Sequence, residues 1–115
     1  METRKITLDQ LRYAINLRDL SNPDEGAHAM QMAMNQIVDA MKAAWNCEVM
    51  TWRESPVVTV ADNYDRLNYP KDGAARNARY TRYVCEGALL RTQASAMVPN
   101  AMQAIADHVP DDILI

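Results

Sequence analysis

Met30, Met34, Ile37, Val38, Met41 and Trp45 recur at spacings of three and four residues, and this stripe restricts the fold more than any other feature of the chain. It predicts a long amphipathic helix over residues 27–44, whose apolar side must be covered by a core or by another protein surface. Asp24 and Glu25 lie where the positive end of the helix dipole favours acids, and Asn46 ends the pattern. The chain carries eight methionines. At helical spacing they fill a core; grouped on an open face they would make an adaptable binding surface.

The remainder reads as shorter elements. Thr7-Leu8-Asp9-Gln10 has the form of a capping box and predicts a short helix through about Ala14. Residues 11–17 also alternate, so periodicity leaves a strand open there. Ser21-Asn22-Pro23-Asp24-Glu25-Gly26 is a loop. Strands are expected over 47–53 and 56–60, the second led by Pro56 and carrying the β-branched run Val57-Val58-Thr59-Val60. A polar loop over 62–73 follows, then short strands at 80–84 and 89–92 separated by Glu86-Gly87. Ser95 is placed to cap a helix over 96–106, with Val98, Met102 and Ile105 inward and Pro99 in its tolerant first turn. Val109-Pro110-Asp111-Asp112 turns the chain into the apolar Ile113-Leu114-Ile115. The fold class is α+β, an antiparallel sheet flanked by helices. With 115 residues, 49% apolar and 23% charged, a single domain over 1–115 is expected.

Several classes of function are excluded or disfavoured. No apolar run reaches the roughly 20 residues of a membrane span, and the polar N-terminus lacks a signal core, so a cytoplasmic protein is expected. Cys47 and Cys85 are the only cysteines; without CxxC spacing, and with His28 and His108 remote, they make no metal site and read as buried thiols. A net charge of −3 does not suit a free-standing nucleic-acid binder. Arg76, Arg79, Arg82 and Arg91 form the one basic cluster, read either as phosphate or tRNA-end contacts or as a solvated face paired with acids. Strand alternation sends Arg79 and Arg82 to opposite sides. Asp65 is expected to accept from one of these arginines and fix its loop. Trp45 and Trp52 read as core or interface anchors.

From Gly26 onward, the order of short motifs resembles the alpha chain of phenylalanyl-tRNA synthetases. Gly26 and His28 precede the long helix, Pro56 leads a strand, and Asn63-Tyr64-Asp65-x-Leu67-x-x-Pro70 follows. Then come Ala75-Arg76-Asn77, Tyr80-Thr81-Arg82-Tyr83 and Leu89-Leu90-Arg91-Thr92-Gln93-Ala94-Ser95. The resemblance covers residues 26–115 and leaves 1–25 as an extra N-terminal element. It implies the first part of a class II aminoacyl-tRNA synthetase core: ATP-dependent activation of an amino acid and its transfer to tRNA, with ATP and Mg²⁺ as the family's cofactors.

Residue by residue, the resemblance implies that Gln93 and Ser95 contact the substrate amino group. Arg79 stands where family members often carry an aromatic residue, histidine or glutamine, and Ala94 replaces a threonine, so the pocket is altered. Arg76 and Arg91 are the candidate phosphate or tRNA contacts. The helix and the strand led by Pro56 correspond to the first class II motif, which implies a homodimer built on Met34, Met41, Trp45 and Pro56. The arginines that hold ATP belong to the second and third motifs, expected beyond Ile115. No catalytic residue, metal or bound cofactor is therefore expected in this chain alone, and tRNA and amino acid are partners only within a longer enzyme. A non-catalytic dimerisation or binding module derived from a synthetase is the alternative, and an unrelated small α+β protein the third.

Overall fold

A computed structural model describes residues 5–107 and 113–115. The expected turn at 109–112 and His108 lie outside the described residues. Through their described residues, two compact units are formed, one from Met1–Ile15 and Arg53–Ala106, the other from Asn16–Trp52 and Asp107–Ile115.

The first unit opens with the capping box. The Thr7 amide donates to Gln10 Oε1 (2.9 Å) and the Gln10 amide to Thr7 Oγ1 (3.2 Å), starting helix α1, Leu8–Ile15. The helix wins over the alternating strand because the cap is local and complete. Strands β2 (Val57–Thr59), β3 (Tyr83–Cys85) and β4 (Ala88–Leu90) form an antiparallel sheet in the order β2-β4-β3. Thr59 ends β2 and also caps the short helix α3, Val60–Asn63, by accepting from the Asp62 amide at 3.0 Å. Lys5 bridges to Tyr83 in parallel, and the Ile6 amide donates to the Tyr83 carbonyl at 2.9 Å. Val58, Tyr64, Tyr83 and Leu89 make the core, with Val60, Ala75 and Ala78 packed on it.

Helix α4, Val98–Ile105, has Pro99 in its first turn as expected, but two details differ. A 3₁₀ turn over Ala94–Met97 precedes it with Gln93 at its cap position, so Ser95 lies inside a turn and caps nothing with its side chain. The inward stripe is Met97, Ala101 and Ile105, with Ala101 buried, while Val98 and Met102 are exposed. Ile105 is half-buried as expected, whereas Ala101 takes the buried place expected of Met102.

In the second unit, helix α2 runs Ala29–Trp45 and ends on Asn46 in the left-handed conformation (φ 48°). Its cap is His28, whose Nδ1 accepts from the Met30 amide at 3.0 Å. Glu25 instead accepts from the Asp19 amide (3.2 Å), inside a loop that Arg18 closes by donating to the carbonyls of Gly26 (2.6 Å) and Ala27 (2.9 Å). Gly26 has φ 114°, a conformation that side chains disfavour. The strand expected over 47–53 reduces to β1, Glu48–Val49, paired in parallel with β5, Ile113–Leu114. None of the residues of α2 is buried: Met30, Met32, Met34, Ile37 and Trp45 are exposed, and Val38 and Met41 half-buried. No described helix is long and apolar enough to cross a membrane.

Candidate functional site

The motifs scattered along residues 63–95 meet in one hydrogen-bonded cluster. Asn63, fully buried, donates from Nδ2 to Thr92 Oγ1 (2.9 Å) and accepts from the Thr92 amide at Oδ1 (3.1 Å), which ties α3 to the segment leaving β4. Tyr64 is buried beside it; its hydroxyl donates to the Ala75 carbonyl (2.9 Å) and shares a short hydrogen bond with Thr81. Arg76 is only 7% exposed and directs its guanidinium inward. It bonds the carbonyls of Pro70 (2.8 Å) and Tyr69 (2.7 Å) and the Asp65 carboxylate (2.7 Å), and it lies 5.1 Å from the Tyr64 ring centre. Asp65 thus fixes its loop through Arg76. Every buried side-chain nitrogen and oxygen among the described residues has a partner, as a polar core requires.

Gln93 sits at the rim of this cluster, half-buried. Its Oε1 accepts from the Tyr69 hydroxyl (3.0 Å) and its Nε2 donates to the Asn63 carbonyl (2.9 Å). An amide oxygen has two acceptor sites and an amide nitrogen two hydrogens, so one of each stays available for a ligand. A held amide of this kind can orient a polar ligand.

The remaining predicted residues are dispersed. Ser95, Arg79 and Tyr80 are exposed, and Arg91 is half-buried with its guanidinium against the Met97 sulfur. Tyr83 lies in the core, its hydroxyl donating to the Arg76 carbonyl, so the aromatic hydroxyl bonded to Gln93 belongs to Tyr69. Arg76, expected as a phosphate or tRNA contact, spends its Nε and Nη2 on the Pro70 and Tyr69 carbonyls and the Asp65 carboxylate. Cys47 is buried as expected, but Cys85 is exposed; both are free thiols. A cavity of about 380 Å³ opens between residues 5–10 and 78–82, and neither Gln93 nor Ser95 lines it. Met34 and Trp45 are exposed on α2 and Pro56 is exposed before β2, whereas Met41 is half-buried. Among the described residues no three of His, Cys, Asp and Glu converge.

Sequence reasoning missed Arg66, which clamps α3 to α4. It donates to Asp62 (2.9 Å) and Gln103 (3.0 Å) and bonds Asn100. The hydrogen bond from Arg66 holds the Asp62 carboxyl below its usual range, against a smaller opposing effect of burial. A depressed folded-state pKa contributes stability that is present above the unfolded value, near 3.8, and lost as pH falls through the folded one. Arg66→Gln is therefore expected to lower stability at neutral pH and to flatten the acid limb below about pH 4. Chemical denaturation across pH 2–7 checks this; a variant with an acid limb as steep as the parent's would refute it.

The profile of the class II tRNA synthetase core domain (F) family matches residues 12–114. The chain belongs to this family. Asn63-Tyr64-Asp65, Arg76 and Thr92-Gln93, which the polar cluster joins, all lie within the matched residues. The phenylalanine–tRNA ligase alpha subunit of Mycoplasmoides gallisepticum is 33% identical over 106 residues, 90% of this chain and 30% of that protein. That of Malacoplasma penetrans is 32% identical over 103 residues, 90% of this chain and 29% of the relative. The mitochondrial phenylalanine–tRNA ligase of Saccharomyces cerevisiae is 31% identical over 104 residues, 88% and 22% of the two chains. The synthetase-core chain thus spans less than a third of the length of these relatives. No solved structure matches it.

Proposed function

We propose that these residues supply part of the catalytic core of a phenylalanine–tRNA-ligase-like enzyme in the cytoplasm, one that activates an amino acid with ATP and transfers it to tRNA. The observation that carries this reading is the Gln93 amide, anchored by Asn63 and Tyr69 with one acceptor and one donor left over. Gln93 takes the substrate ammonium, and Ser95, exposed two residues on, adds a hydroxyl acceptor. Arg79 and Arg91 remain candidates for the anionic parts of the substrates. The alpha-subunit names of the bacterial relatives support a role within an assembly.

A second reading, a non-catalytic dimerisation module, draws on α2, which leaves its apolar stripe open. One experiment separates the two. Residues 12–114 replace the matching segment of the Mycoplasmoides gallisepticum relative, and amino-acid-dependent pyrophosphate exchange is measured. Under the ligase reading the chimera exchanges and residues 1–115 alone do not. Gln93→Ala in the chimera should lower kcat/KM for the amino acid by about ten- to a hundredfold, the value of one hydrogen bond to a charged group. A folded, dimeric chimera with no exchange would favour the module.

A further inference from the structure

The cavity between residues 5–10 and 78–82 is remote in role from the Gln93 rim and draws only on the first unit. Its lining is chemically one-sided. Lys5 and Arg82 contribute two positive charges, and among the described residues no Asp or Glu lines the cavity to balance them. Both side chains belong to exposed residues, on a chain whose net charge is −3. Arg82 is also the member of the basic cluster that the synthetase reading leaves unused.

Thr7 and Gln10 complete the polar wall. Their capping-box bonds use the Thr7 hydroxyl oxygen and the Gln10 carbonyl oxygen as acceptors. The hydroxyl hydrogen of Thr7 and the amide hydrogens of Gln10 are thereby left as donors. The first turn of α1 adds the positive end of its dipole. Thr81 belongs to the floor, because its hydroxyl is engaged with the Ala75 carbonyl (2.7 Å) and with Tyr64. Ile6 supplies apolar wall.

We propose that this cavity binds a phosphate monoester on a small organic body. A phosphate monoester carries about −1.5 to −2 charges near neutral pH, which matches one lysine and one arginine. Lysine meets it as a point charge and arginine as a two-pronged donor. A volume of about 380 Å³ is too large for a bare phosphate and falls within the range of small-ligand pockets, so the organic part lies along Ile6.

The test is titration of ¹⁵N-labelled protein with ribose 5-phosphate, inorganic phosphate, malonate and ribose at low ionic strength. Ribose 5-phosphate is expected to shift the amides of residues 5–10 and 78–82, inorganic phosphate to do so more weakly, and ribose not at all. Lys5→Gln with Arg82→Gln should weaken binding by tenfold or more, about the loss of one charge-assisted bond at the least. Both substitutions are at exposed positions, and an unchanged thermal midpoint will confirm that the fold is kept. Arg12→Gln, at an exposed α1 position facing Asp9, should leave binding unchanged. The proposal is overturned if those amides do not move, if the double variant binds as the parent does, or if malonate binds better than ribose 5-phosphate.

Discussion

Arg76→Ala should destabilise the protein by roughly 3 kcal/mol, the order expected when a buried guanidinium and its charge-assisted hydrogen bonds are removed. The guanidinium is the common donor to the Pro70 and Tyr69 carbonyls and to Asp65, so its loss strands three acceptors at once. It also removes the cation beside the Tyr64 ring. Native domains are held by only about 5–15 kcal/mol, so the variant should unfold at clearly lower urea concentration. Arg76→Lys should recover little, because one ammonium cannot reproduce a planar fork reaching three acceptors. Asp65→Asn should cost less, since the Asp65 side chain is 45% exposed and water can replace part of the bond. If Arg76→Ala unfolds within about 0.5 kcal/mol of the parent, the range of ordinary surface substitutions, the cluster does not hold this unit together.

The second large effect concerns association. The stripe that the sequence assigns to a helix is present, but Met30, Met34, Ile37 and Trp45 remain exposed along α2. An open apolar face of this kind is suited to a protein interface, and a two-fold dimer is the commonest way to close one. Under the dimerisation reading, the chain should therefore sediment as a dimer at micromolar concentration. Met34→Glu with Ile37→Glu should convert it to monomer, because a carboxylate buried without a partner costs several kcal/mol. Both residues are exposed within the chain, so the fold should survive, which circular dichroism can check. A parent protein that is monomeric at all concentrations, or a double variant that still dimerises, would count against the interface.

Local and periodic features were legible in the sequence. The α1 capping box, the length of α2, Asn46 as its stop and the strand after Pro56 all follow from residues within a few positions of one another. The strand over 47–53 was overextended because pairing is not local: β1 is only as long as the Ile113–Leu114 segment beside it. The stretch 62–73 reads as a polar loop by hydropathy, yet it supplies Asn63 and Tyr64 to the interior. Polar side chains that satisfy one another when buried look the same in sequence as polar side chains in water. For the same reason Arg76 passed for a surface cation. Family resemblance points to Gln93, while its anchors Tyr69 and Asn63 lie about 24 and 30 positions upstream and carry no local signal.

Thr59 closes β2 opposite Ala88 and at the same time begins α3, and the Val60 amide reaches across to the Gly87 carbonyl at 3.0 Å. Strand and helix therefore share a residue, with no spare backbone between them. At Glu86, an exposed turn position, an added residue would loop into solvent. At Thr59 a single inserted residue would shift Val57 and Val58 to the wrong faces of the sheet and detach the cap in the same event. The junction should thus be free of insertions and deletions across the lineage, a constraint on gene length changes imposed by geometry alone.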